Sequence, residues 1–262
     1  MTNSKEQIMI HSILIIGQSN MAGRGFLHEA KPLSNMGGRL KVLRNGRWQN
    51  IYRPVNPDRA FSGTCLAESF AMRYAEEHEG VQVGIIPCAD GGTSLNQWRE
   101  GGLLFDHAVY TARLAMRTSN LVAILWHQGE ADCAPHLNCV YLEKLTAIMT
   151  ALRRELGAED VPIVVGGLGD FLRDRVEISP NLIHAPVVNE ALRAFADKTH
   201  RAAFASAEGL TSNEDNLHFS ADGLYEFGLR YYDEFSAIED KERVFEEKVD
   251  ADAAFRTDME LL

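Results

Sequence analysis

The sequence predicts an α/β fold, a parallel sheet of about five strands with helices on both faces. Three observations predict it. Short apolar runs of strand length recur along the chain, β-branched or alanine-rich and closed by Gly or polar residues. Longer amphipathic segments lie between them. The two kinds alternate, and near-continuous apolar strands belong to sheets covered on both sides.

The elements follow in order. Ile10–Ile16 is the first strand and ends abruptly in the turn Gly17-Gln18-Ser19-Asn20. Cys65–His78 reads as a helix, because Leu66, Phe70 and Tyr74 fall four apart. Val81–Pro87 is the second strand. Phe105–Arg117 follows as a helix, with Val109, Leu114 and Met116 near one face. Leu121–Trp126 is the third strand, and Leu137–Leu156 has a helical pattern. Pro162–Gly167, the helix Pro186–Thr199, the strand Ala202–Ala207 and the helix Ser220–Ile238 complete the set. No repeat or Pro/Ser-rich linker divides them, so residues 1–238 are expected to form one domain. Residues 239–262 carry nine acids against four bases. This tail reads as a solvated terminal helix, with a docking element built on Val244, Phe245, Val249 and Phe255 as the alternative.

Composition narrows the function. With 26 Lys and Arg against 37 Asp and Glu, the net charge is −11, and no basic run could track phosphates. Nucleic acid is therefore not an expected partner. The apolar stretches are too short to span a membrane. The polar start, Met1 to Gln7, does not resemble a secretion signal, which predicts a cytoplasmic location. Cys65, Cys88, Cys133 and Cys139 form no C-x-x-C and are expected to be free thiols. No metal-ligand or nucleotide motif occurs, so no metal or cofactor is expected.

In a parallel sheet, functional residues gather beyond the strands' carboxyl ends. The first strand delivers Ser19 there, as a nucleophile or as a helix cap. The second delivers Gly91 and Gly92 in Asp90-Gly91-Gly92-Thr93-Ser94, either a close backbone approach to a ligand or a plain turn. The third delivers His127-Gln128-Gly129-Glu130. Gln128 can turn its amide into a cleft, and side-chain alternation then points His127 into protein. The late loop Asp215-Asn216-Leu217-His218 places a carboxylate three residues before a histidine. Asp215 can hold Nδ1 there and leave Nε2 facing a serine; a satisfied surface histidine is the other reading.

These four segments together resemble the SGNH (GDSL-like) hydrolases, in the carbohydrate-esterase branch of acetylxylan esterases and sialate O-acetylesterase-like proteins. The matching residues are Gly17 to Gly25, Gly91 to Ser94 with Trp98, Gln128-Gly129-Glu130, and Asp215, Leu217 and His218. The resemblance spans residues from about 10 to 235. It implies a three-layer, flavodoxin-like α/β/α sandwich. His127 departs from it, standing where members often carry Tyr or another aromatic, and is expected to alter the pocket wall. Cys133 and Cys139 have no functional reading.

The implied activity is a serine esterase that removes acetyl groups from carbohydrates through an acetyl-serine. Acetylxylan, O-acetylated sialic acid and other acetylated oligosaccharides are the candidate substrates. Ser19 would attack, His218 would move the proton and Asp215 would orient it. The backbone N–H groups of Ser19 and Gly92 and the side chain of Gln128 would form the oxyanion hole. Gln18, Asn20 and Gly91 are supporting residues, with Asn20 fixing the turn. Glu130 would accept backbone N–H bonds from the Ser19 turn. Trp98 and Arg24 would line the sugar site, with an ion-pair role as the other reading of Arg24. A non-catalytic glycan-binding protein, a short-chain esterase of non-sugar substrates and a metal-dependent deacetylase are the competing readings.

Overall fold

A computed structural model describes residues 9–239; all but the first residue of the acidic tail lies outside the described residues. Seven strands form one sheet: β1 (Ile10–Gly17), β2 (Leu40–Arg44), β3 (Arg47–Asn50), β4 (Gln82–Pro87), β5 (Ser119–His127), β6 (Ile163–Gly166) and β7 (Ala202–Ala205). Their order is β3-β2-β4-β1-β5-β6-β7. Every pairing is parallel except β2 with β3. The five expected strands are all present. The two further ones form a hairpin at one edge, turned by Asn45 and Gly46, both with positive φ (48° and 71°). Such a two-residue turn matches the twist of the strands it joins.

The helices are α1 (Ser19–Ala22), α2 (Leu66–Glu77), α3 (Leu95–Trp98), α4 (Leu103–Met116), α5 (Pro135–Asn138), α6 (Tyr141–Leu156), α7 (Ala185–Lys198) and α8 (residues 221–239). The expected helix 137–156 is two helices. Val140, at φ −115° and ψ 9°, leaves the helical region and separates α5 from α6.

Alternation along β1 explains the layers. Leu14 and Ile16 enter one core with side chains of α4, α6 and α7, while Ile13 and Ile15 enter the other with α2 and α8. All four are essentially solvent-free. Burying side chains of this size stabilises by roughly 1.5–3 kcal/mol each. β1 lies between β4 and β5, and the chain leaves it toward β4 before crossing back to β5. That reversal opens a crevice at the carboxyl end of β1, where Ser19 stands.

Candidate active site

Ser19 is not a cap. Gln18 holds the N-cap position of α1, and Ser19 is its first residue. The Ser19 Oγ lies 3.0 Å from His218 Nε2, across 199 residues of sequence. His218 Nδ1 lies 2.6 Å from Asp215 Oδ2. The carboxylate accepts at Nδ1, so the ring proton sits there and the Nε2 lone pair faces the serine hydroxyl. The other Asp215 oxygen, Oδ1, accepts from the N–H groups of Leu217 (2.9 Å) and His218 (3.0 Å). Burial works against the Asp215 charge. These N–H groups and the His218 ring outweigh it and hold its carboxyl below the usual carboxylate range.

Asn20 ties the histidine loop to the first turn. Its Nδ2 donates to Glu130 Oε1 (2.6 Å) and to the Leu217 carbonyl (3.2 Å), while its Oδ1 accepts from Phe219 N–H (3.1 Å). Asn20 was expected to fix its own turn, but its side chain bonds none of that turn; it brackets His218 from both sides in sequence and joins that loop to Glu130. Glu130 was expected to accept backbone N–H bonds from the Ser19 turn; it accepts from the Asn20 side chain instead. The N–H groups of Met21 and Ala22 are spent within the turn on the Gln18 carbonyl, at 3.0 and 2.9 Å.

Gly91 and Gly92 serve two purposes. A Cβ on Gly91 would stand 2.4 Å from an Arg24 guanidinium nitrogen and 2.9 Å from Asp58 Oδ2. The Gly91 N–H instead donates to that oxygen at 2.8 Å. Gly92, at φ +77°, turns an open side to the cleft. Among the described residues no protein acceptor takes the N–H of Gly92 or of Ser19.

Gln128 does not reach the cleft. Its side chain is fully buried, and its Nε2 donates to the Thr93 carbonyl (3.0 Å) and to Asp132 Oδ2 (2.6 Å). Tyr141 donates to its carbonyl groups from the other side. The amide is spent inside the protein and has no free donor to offer. Gln18 faces the cleft instead. One atom of its amide receives the N–H groups of Gly129 (3.3 Å) and Ala131 (3.5 Å), which fixes that atom as oxygen and leaves the NH2 on the other side.

Trp98 is also inside. It is 1% exposed, donates from Nε1 to Thr93 Oγ1 (3.0 Å) and meets Trp126 edge to face at 5.5 Å. It cannot line a sugar site, because helix α3 turns it onto the core. His127 is equally remote from the pocket wall. It packs edge to face against Phe219 and Phe227, and its Nε2 bonds the Gly167 carbonyl at 3.0 Å. A ring of aromatic shape is what this core position holds, and burial pushes its pKa down. Cys133 is buried with its thiol on the Gly129 carbonyl, and Cys139 is exposed.

Arg24 both lines the cleft and forms an ion pair. Its guanidinium grips Asp58 with two parallel bonds, 3.0 and 2.7 Å, with both side chains almost fully buried. Burial opposes the Asp58 charge, but Arg24, Ser62 and the Gly91 N–H outweigh it and hold the carboxyl low. Asp58, Arg59 and Phe61 were not singled out from the sequence. They lie in the irregular segment between β3 and α2, which has no periodicity to read. The signal available was a charged and aromatic cluster after Pro57. The cleft has a volume of about 600 Å³, ordinary for a small-molecule site.

A serine, an imidazole and a carboxylate in this relay can activate the hydroxyl for acyl transfer. The family model for carbohydrate esterases, sialic acid-specific acetylesterase, matches residues 9–237. The chain belongs to this family. It is accordingly a carboxylic ester hydrolase of the carbohydrate acetylesterase kind. A probable carbohydrate esterase of Arabidopsis thaliana is 26% identical over 239 residues, covering 82% of this chain and 86% of that protein. The crystal structure of that plant protein superposes with a TM-score of 0.73 at 22% identity, covering 87% of this chain and 98% of the other. NanS superposes at 0.68 with 17% identity (90% and 98% covered). A carbohydrate acetylesterase from Xanthomonas citri superposes at 0.62 with 19% identity, covering 85% of this chain and 55% of that one. These superpositions carry the fold.

Proposed function

We propose that this carbohydrate esterase removes O-acetyl groups from sugars through an acetyl-serine on Ser19. The observation that carries the reading is the relay of Asp215, His218 and Ser19, joined at 2.6 and 3.0 Å at the mouth of a cleft.

Ser19 Oγ attacks the acetyl carbonyl as its proton passes to His218 Nε2. Asp215 stabilises the imidazolium so formed. The charge on the carbonyl oxygen develops toward the N–H groups of Ser19 and Gly92 and the Gln18 NH2, which takes the part expected of Gln128. Each such donor is worth roughly 3–4 kcal/mol of barrier. The tetrahedral adduct collapses, the C–O bond to the sugar breaks, and the imidazolium returns its proton to the leaving oxygen. Water then repeats the sequence against the acetyl-serine and frees acetate.

Ser19→Ala is expected to lower release of 4-nitrophenol from its acetate ester by at least about 10⁴-fold with an unchanged melting temperature. Rapid acid quench of the wild type should show the mass of one acetyl group on the peptide holding Ser19. Activity retained in the alanine variant would overturn the assignment.

A further inference from the structure

The charged groups around the cleft are unevenly matched. Two guanidinium groups line it, and both are already taken. Arg24 is clamped bidentately by Asp58. Arg59 has its NH1 2.7 Å from Asp90 Oδ1, a close charge contact without hydrogen-bond alignment, and donates from NH2 to the Gly91 carbonyl at 3.0 Å. His218 is paired with Asp215. The remaining charged residue of the lining is Glu130. Its Oε1 meets a neutral amide, and its Oε2 meets no donor at all. Counting the lining and the residues bonded to it, three guanidinium charges, those of Arg24, Arg59 and Arg175, stand against four carboxylates, those of Asp58, Asp90, Glu130 and Asp215; Arg175 lies outside the lining, behind the histidine loop, where it donates to the Asp215 carbonyl.

A ligand carboxylate placed here would meet no unneutralised guanidinium among the described lining residues and would face the charge of Glu130. The whole molecule adds to this, because at −11 its field opposes the approach of an anion. What the cleft does offer suits an uncharged polyol. Phe61 stands at its rim with 71% exposure, its ring held by the Arg24 guanidinium 5.2 Å from the centroid. An exposed aromatic face can carry the C–H face of a sugar ring. Ser179 and Asn181, also in the lining, supply neutral hydrogen-bonding groups.

We infer that this cleft selects acetylated sugars without a carboxylate and discriminates against O-acetylated sialic acids, with Asp58 and Asp90 acting as the specificity residues that neutralise Arg24 and Arg59. The inference rests on the esterase reading of Ser19. It gives the site a substrate class different from the one in the family's name.

The central comparison removes the substrate's charge at the cost of one added methyl group. Acetate release is measured with the full-length protein from 9-O-acetyl-N-acetylneuraminic acid and from the methyl ester of the same compound. An acetylated methyl xyloside and 4-nitrophenyl acetate are run beside them. The methyl ester is expected to exceed the free acid in kcat/KM by about tenfold or more, since like charges brought together in a cleft are costly. The xyloside should match or exceed the methyl ester. Asp90→Asn, which removes the carboxylate nearest Arg59 and leaves Asp58 3.9 Å away, should cut the ratio of methyl ester to free acid to about threefold or less by raising the rate on the acid. Cleavage of 4-nitrophenyl acetate with the free acid hydrolysed as fast as its methyl ester would overturn the inference and leave the esterase reading intact. An unchanged ratio in Asp90→Asn would overturn the role given to that residue. No acetate from any compound would overturn the esterase reading, and this inference with it.

Discussion

Two regions beside the cleft are built from similar-looking sequence and behave oppositely. One comes from the end of β1 and the irregular segment before α2, and brings Gln18, Ser19 and Phe61 to the cleft. The other comes from the end of β5 and helix α3, and carries Gln128, Asp132, Thr93 and Trp98. In the first, polar groups present an unspent face to the cleft. In the second, they satisfy one another: Gln128 binds Thr93 and Asp132, Trp98 binds Thr93, and Tyr141 closes the set. Gln18, Ser19, Thr93 and Gln128 all stand just past strand ends, in the blocks that match the family. What separates them is whether a neighbouring element supplies partners. Helices α3 and α6 do so for the β5 end, whereas α1 turns Ser19 outward beside the histidine loop. The β5 end is a platform, and the β1 end carries the chemistry.

The sharpest way to break this comparison is through the two aromatic residues. Trp98→Ala removes a fully buried ring that also bonds Thr93, and should cost about 3–5 kcal/mol of stability in denaturant unfolding. The KM of the folded fraction should hardly move. Phe61→Ala should leave stability within about 0.5 kcal/mol, as exposed sites do. Its KM for an acetylated oligosaccharide should rise several-fold, with 4-nitrophenyl acetate unaffected. A Trp98 variant that is stable but raises KM would return that residue to the sugar site.

The two glutamines give the next largest contrast. Gln18→Ala should lower kcat by about 10²–10³-fold while changing the melting temperature little, as loss of an oxyanion donor does. Gln128→Ala leaves the Asp132 carboxylate short of a buried donor, and burial already pushes that carboxyl up. It should cost about 2–4 kcal/mol of stability, with kcat falling less than about tenfold. The reverse pattern in kcat would mean that Gln128 turns outward when substrate binds.

The same contrast marks how far the sequence can be read. The five parallel strands were legible because buried strands leave unbroken apolar runs, and Ile13 to Ile16 must feed both cores. The hairpin was missed although Asn45-Gly46 carries a standard turn signal, because Arg47–Asn50 is polar and lies at the sheet edge. The positions of Ser19, Asp215 and His218 follow from strand ends and a three-residue spacing, both local. Whether Gln128 faces in or out depends on Asp132 and Tyr141, and Trp98 depends on Trp126 across the core. Those partners come from other elements, and periodicity carries no record of them. Asp58 was hidden for the same reason, since its partners Arg24 and Gly91 lie 34 and 33 residues away.

The smallest expected effect concerns the residue where β5 turns wholly inward. His127 is completely buried, and its Nδ1 meets no donor or acceptor. Desolvation lowers its pKa from the ordinary 6.5, with Glu130 and the Gly167 carbonyl acting only partly against it. In the unfolded chain the ring takes up a proton as pH falls through about 6.5, while in the folded protein it stays neutral until a lower pH. Between those two values the unfolded state binds more protons, so stability falls as pH drops, by up to about 1.4 kcal/mol per pH unit. His127→Phe keeps an aromatic ring against Phe219 and Phe227 and should remove this part of the slope. Some slope should remain, because burial and the nearby His78 lower the pKa of His11 as well. Unfolding free energies from urea titrations between about pH 4.5 and 7.5 would read it. Identical slopes in the two proteins would mean that His127 is protonated inside the fold, and the β5 end would then be electrostatically coupled to Glu130 rather than an inert support.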